Sequence, residues 1–229
     1  MAEDSTITPE LIKTVIIRFG LSIIVIPAMF FIPAGTFAYW QAWVYLVVLF
    51  VPLGFVLTYL LKNSPGLLER RMHMKEKEKE QNIIVKSSYL FFLLAFLLPG
   101  FDFRFGWSHI PVAFVLMANF LVFAGYMFVF LVFRENRYAS RIVEVEEEQS
   151  IISTGPYSLV RHPMYLGTVV MYLASPIALG SYWAFFPALF IVPILVLRLL
   201  NEEKVLERDL KGYKEYQAKV KYHLIPGIW

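Results

Sequence analysis

One segment of the chain gathers side chains with chemical range: Gly155-Pro156-Tyr157-Ser158-Leu159-Val160-Arg161-His162-Pro163-Met164-Tyr165-Leu166-Gly167. A Gly-Pro turn leads into a cation, an imidazole and two phenols. The chain then runs directly into a long apolar stretch. Polar and cationic groups at a membrane boundary are costly unless they are used. The plainer alternative is anchoring, with Arg161 snorkelling and the tyrosines joining an interfacial aromatic belt. A second group lies further along. Arg198 precedes Glu202 by one helical turn, with Glu203 beside it. The i, i+4 spacing puts Arg198 and Glu202 on one helix face. They either pair with each other, easing the burial of Arg198, or each reaches a ligand.

Several common sites are missing from the sequence. The twelve glycines never fall as GxGxxG, and GxxxxGK[ST], HExxH and GxSxG do not occur. There is no cysteine, which excludes disulfides, thiolate metal sites and a Cys nucleophile. His73, His109, His162 and His223 have no metal-ligand spacing, so no metal is expected.

The elements that must hold these residues are apolar. Of 229 residues, 58% are hydrophobic and only 17% charged, with a mean hydropathy of +0.59. Soluble domains run to about a quarter charged residues. This composition excludes a soluble globular domain and a disordered chain, and points to a polytopic membrane protein. Val15–Ala34, Ala42–Leu61 and Ile110–Phe133 each have about the 20 residues a bilayer requires. Ser88–Phe101 is shorter and spans if its helix starts early and Lys86 snorkels. Met164–Leu200 is long enough for a hairpin with a turn near Gly180-Ser181. The N-terminus carries Glu3, Asp4 and Glu10 in place of a basic cluster, so no cleavable signal peptide is expected.

Basic residues then set an orientation. They cluster between the second and third spans, between the fourth and fifth, and after the last, whereas the alternate loops hold only Arg104. This predicts an all-α fold of about six transmembrane helices, with both termini and the active site cytoplasmic. The hairpin returns the His162 cluster and the Arg198/Glu202 pair to one membrane face. The net charge of +3 is ascribed to these loops and anionic lipid, with no nucleic-acid partner. Asn201–Lys221 reads as one charged amphipathic helix on that face. The Lys75–Glu80 run reads as a solvated or interfacial helix, and Glu144, Glu146, Glu147 and Glu148 as a solvated turn. Residues 1–133 are expected to form the N-terminal transmembrane part and 134–229 the catalytic region.

From about Arg134 to Trp229 the sequence resembles the isoprenylcysteine carboxyl methyltransferase family and its relatives among the phospholipid methyltransferases. The resemblance rests on Asn136, Gly155-Pro156-Tyr157, Arg161-His162-Pro163-Met164-Tyr165, Arg198 with Glu202-Glu203, Leu206, Tyr213, Tyr216 and Ile225-Pro226. It implies an integral membrane enzyme using S-adenosylmethionine (SAM). Carried over by position, cofactor contacts fall on Gln149, Ser150, Ile151, Ile152, Tyr157, His162, Pro163, Met164, Tyr165 and Glu202, and the acceptor carboxylate contact on Arg198. The chain departs from the family at Ile142, where prenyl-cysteine members have glutamine.

The residue chemistry is compatible with that resemblance. Glu202 can accept from ribose hydroxyls or an ammonium, and His162 can bond the methionine part. Arg161 is a weaker candidate for its carboxylate. Tyr157 and Tyr165 offer ring faces. A carboxylate acceptor needs no general base but does need an orienting cation, a role that suits Arg198. An amine acceptor would lose a proton, with Glu203 as the candidate base. The implied partners are a lipophilic small-molecule or prenylated acceptor and membrane lipid; nothing in the sequence sets an oligomeric state. The alternative is an NADPH-dependent reductase, since sterol and steroid reductases share a similar Arg-His-Pro-x-Tyr but usually carry Asn where this chain has Met164. A transporter or scaffold ranks last, because Arg18 is almost the only charge within a span.

Overall fold

A computed structural model of the chain describes residues 7–72, 79–143, 145–146 and 149–229. Among them every regular element is helical. The order is α1 (Pro9–Ala34), α2 (Trp40–Asn63), α3 (Pro65–Met72), α4 (Lys79–Phe105), α5 (Val112–Glu135), a 3-10 turn (Gly155–Ser158), α6 (Pro163–Ala178), α7 (Phe185–Asp209) and α8 (Tyr213–Lys219). By length and composition α1, α2, α4, α5 and α7 can each cross a membrane. Their outward faces carry large apolar side chains such as Ile16, Ile24, Val51 and Phe120, as suits contact with lipid. The protein is a multi-pass membrane protein.

The sixth expected span is short. At 16 residues α6 is about 24 Å long, less than the ~30 Å hydrocarbon core. The hairpin itself is as expected. It turns through Gly180, whose φ of 79° favours a residue without Cβ. The third span also starts early, at Lys79. Two features differ from the sequence reading. The connection after α2 holds the extra helix α3. The stretch from Asn201 to Lys221 is not one helix: α7 ends at Asp209, Leu210 is extended, and Gly212 at φ 87° redirects the chain into α8. The helix that periodicity alone would continue stops at extended Leu210, and left-handed Gly212 then caps the start of α8. The charged run through residues 75–78, and Glu144, Glu147 and Glu148, lie outside the described residues.

Two close contacts fix the frame around the site. α5 and α6 cross at Gly125 and Gly167, where a Cβ on Gly167 would sit 2.7 Å from Val129 Cγ2 and 3.1 Å from the Gly125 carbonyl. At the opposite end of the bundle buried Asp102 accepts from the Ser108 amide at 2.7 Å and its hydroxyl at 2.6 Å, and from the Ser181 hydroxyl, pinning the hairpin turn. The start of α1, the end of α2, α3, the start of α4, the end of α5, the 136–162 connection, the end of α7 and α8 meet at the other end. There Arg18 of α1 donates to the Met72 carbonyl, Arg70 of α3 to the Arg137 carbonyl at 2.6 Å, and Gln81 of α4 to the Arg198 carbonyl at 3.0 Å.

Candidate functional site

A cavity of about 510 Å³ opens at this end, within the range of small-molecule sites. Its wall includes Gln149, Ser150, Ile151 and Ile152 from the connection, and Tyr157 from the 3-10 turn. His162, Met164 and Tyr165 come from the start of α6, and Arg198 and Glu202 from the end of α7. Of the residues singled out from sequence, Pro163 and Glu203 stay out of the wall. Pro163 is buried at the first position of α6, where its fixed φ and missing N–H suit a helix start.

Arg198 and Glu202 do not simply neutralise each other. The Tyr165 hydroxyl stands between them, donating to Glu202 Oε2 at 2.7 Å and accepting from Arg198 Nε at 3.1 Å. Arg198 Nη2 donates to the Arg141 carbonyl at 2.7 Å. Tyr165 therefore orients a cation and a carboxylate together on the cavity wall. Tyr157 receives a hydrogen bond from Asn136 Nδ2 at 2.9 Å on its hydroxyl, and its carbonyl accepts from the Tyr216 hydroxyl at 2.7 Å. Burial, with Glu202 nearby, pushes the Tyr157 phenol above its ordinary value, so the ring stays neutral.

Glu203 is placed elsewhere. Its side chain is buried, and Arg161 Nε donates to Oε1 at 2.6 Å. His162 Nε2 lies 3.1 Å from Oε1, His223 Nε2 3.0 Å from Oε2, and the Tyr213 hydroxyl donates to Oε1 at 3.4 Å. With its lone pairs taken, and away from the cavity, Glu203 cannot serve as a base there. It holds one nitrogen of His162, whose ring reaches the cavity wall. Arg161 is likewise committed. Besides Glu203 it donates to the Val220 and Lys221 carbonyls, each at 2.9 Å, which fastens the C-terminal tail. Backbone bonds from Arg161 N to Tyr222 O and from His162 N to His223 O, at 2.9 and 3.0 Å, complete the clamp. Burial pushes the His223 imidazole below its ordinary value against the pull of Glu203. The sequence reading missed His223, Tyr138 and Arg71. Their only signals were residue type, because each reaches the site from a separate segment.

Next to this cavity lies a second, of about 490 Å³, walled mainly by apolar side chains of α1, α2, α4, α5 and α6. Arg71, Phe92, Val129, Arg141, Thr168 and Tyr172 line both. A more polar chamber thus adjoins an apolar one within a membrane-spanning bundle.

Fold and site define a multi-pass membrane protein with a ligand chamber at one end. Residues 113–212 match the phospholipid methyltransferase family, which supports a membrane methyltransferase. Over 84 residues the chain is also 31% identical to Delta(14)-sterol reductase TM7SF2 of Mus musculus, covering 35% of this chain and 20% of that protein. The chain therefore spans about a fifth of the length of that curated relative.

Proposed function

We propose that the protein transfers a methyl group from SAM to a lipophilic acceptor, its reactive group a carboxylate such as that of an isoprenylcysteine. The observation that supports this most is the makeup of one cavity, inside the segment that matches phospholipid methyltransferases. Nine of the ten residues expected to hold the cofactor line it, and so does Arg198. The donor set fits SAM. Glu202 is a carboxylate acceptor for ribose hydroxyls or the ammonium. His162, held through one ring nitrogen by Glu203, keeps its other nitrogen for the methionine part. Ile151, Ile152 and the neutral ring of Tyr157 suit the adenine. When bound, SAM supplies a methyl group activated by its sulfonium.

The chain's own residues position the reaction. Arg198 orients the acceptor carboxylate, and Tyr165 couples that cation to Glu202. A carboxylate nucleophile has no proton to lose, so no base is required, in keeping with the sequestration of Glu203. The apolar chamber suits the acceptor's chain, which would reach the cavity from the membrane side. Exclusion of water and alignment of acceptor and methyl donor would supply most of the barrier reduction. The positive-inside distribution supports a cytoplasmic site and cytoplasmic termini. Residues 134–229 supply the cofactor contacts. Helices within 1–133 complete the apolar chamber.

The likeness to a sterol reductase favours a second reading, an NADPH-dependent membrane reductase. Thermal unfolding of the detergent-purified protein separates the two. S-adenosylhomocysteine at about a hundred times its dissociation constant is expected to stabilise the protein by roughly 2.7 kcal/mol. The Glu202→Ala and His162→Ala variants should lose that response. Stabilisation by NADPH alone would replace the methyltransferase with the reductase.

A further inference from the structure

The junction of the two chambers holds a feature that cofactor binding does not use. Arg71, near the end of α3, projects into the wall between them. Its Nη1 donates to the Ala139 carbonyl at 3.1 Å and the Ser140 carbonyl at 3.4 Å, and its guanidinium lies 4.4 Å from the centre of the Phe133 ring. Arg141 lines both chambers beside it. Among the described residues no carboxylate forms an ion pair with either arginine. Burial and the like charge of Arg141 press Arg71 down to about 10, which still leaves it charged at neutral pH.

Arg141 is exposed, whereas Arg71 is half-buried beside a largely apolar chamber, where a cation is unfavourable alone. Carbonyl dipoles and a ring face compensate in part, whereas an anion would compensate fully. Arg198 donates to the Arg141 carbonyl, so this junction adjoins the residue assigned to the acceptor. Arg71 lies outside the segment that matches phospholipid methyltransferases, and Arg141 lies within it.

The geometry points to a headgroup subsite at the junction, in which Arg71 and Arg141 receive the carboxylate or phosphate of an amphiphile whose chain fills the apolar chamber. The inference rests on the reading of a lipophilic acceptor whose carboxylate Arg198 orients, and adds Arg71 and Arg141 beside Arg198 as the residues that select an acidic headgroup. The subsite would select among membrane lipids by charge, since a neutral lipid entering the chamber would leave half-buried Arg71 without a counter-charge.

Binding to the full chain in non-ionic detergent tests this, with oleate, oleoyl lysophosphatidate, methyl oleate and inorganic phosphate as probes. The two acidic amphiphiles are expected to bind about tenfold or more tightly than methyl oleate. Arg71→Gln and Arg141→Gln should each remove most of that preference and leave methyl oleate binding unchanged. Arg71→Lys should restore part of it. Arg141 donates no hydrogen bond to the described residues, so its variant guards against a folding defect at Arg71. Equal binding of oleate and methyl oleate, or a preference that survives both Gln variants, would overturn the subsite. Inorganic phosphate binding as well as the amphiphiles would reduce it to an adventitious ion only, and overturn it too. The wild-type response to S-adenosylhomocysteine is recorded in parallel. Its loss with the acid preference intact would refute methyl transfer and leave the subsite standing.

Discussion

Glu202 and Glu203 are neighbours with identical side chains and opposite environments. A step of about 100° around α7 turns Glu202 to the cavity and Glu203 to a buried cluster. Glu203→Gln should therefore act on folding first. It leaves Arg161 buried without its counter-charge, at a cost of about 3 kcal/mol, read in chemical denaturation. Glu202→Gln should leave the denaturation curve close to wild type and abolish the response to S-adenosylhomocysteine. If Glu203→Gln were as stable as wild type, the cluster would not be holding the tail. The sequence singled out Arg161-His162 and the carboxylate pair. It could not divide the roles, because the deciding partner, His223, arrives from the C-terminal tail with no spacing relation to either motif. Arg71 was concealed in the same way. In the sequence it is one basic residue among many after the second span, and only the fold brings it beside Arg141.

Helix packing sets the distance between the motifs. α5 and α6 approach at Gly125 and Gly167, and the neighbour that a Cβ would meet is the stiff, branched Val129. Gly167→Ala should cost about 1–3 kcal/mol of stability through overpacking. Gly20→Ala, with nothing within 4 Å of its added methyl, should be neutral or slightly stabilising in the same thermal assay. Equal effects at the two positions would remove the close crossing as an organising contact. The tail adds a pH dependence. His223 has a folded value below its ordinary 6.5, so protonation favours the unfolded chain. Its contribution is present above that ordinary value and is lost as pH falls from there through the lower folded value. The melting temperature should drop on acidification from pH 7.5 to 5.5, and His223→Gln should flatten that slope. An unchanged slope would assign the loss to other groups. Long apolar runs made the spans plain from sequence, and Gly180 announced the hairpin turn. The break before α8 was hidden because Leu206, Leu210 and Tyr213 keep helical spacing across it, although Gly212 at φ 87° cannot continue the helix.

Across the bundle, charge and chemistry separate toward opposite ends. The chamber and its basic rim occupy one end; Asp102, the hairpin turn and exposed Trp107, Tyr182 and Trp183 occupy the other. The chain has no cysteine, so single cysteines report sidedness without background. Tyr182→Cys should react with an impermeant maleimide on intact cells, and Lys214→Cys only after permeabilisation. The reverse pattern would refute a cytoplasmic site. The five long spans were readable from hydropathy, because lipid imposes long apolar runs on sequence. The junction between chambers was not, since it combines α3, α4, α5 and α6 with the 136–162 connection, segments far apart along the chain. The most direct measurement is methyl transfer itself. Purified protein is incubated with methyl-labelled SAM and a prenylated cysteine in detergent, and the organic-soluble product is treated with base. Methyl transfer to a carboxylate predicts base-labile label that disappears in Arg198→Ala while the response to S-adenosylhomocysteine persists. Base-stable label, full transfer by Arg198→Ala, or turnover of NADPH without any transfer would contradict it.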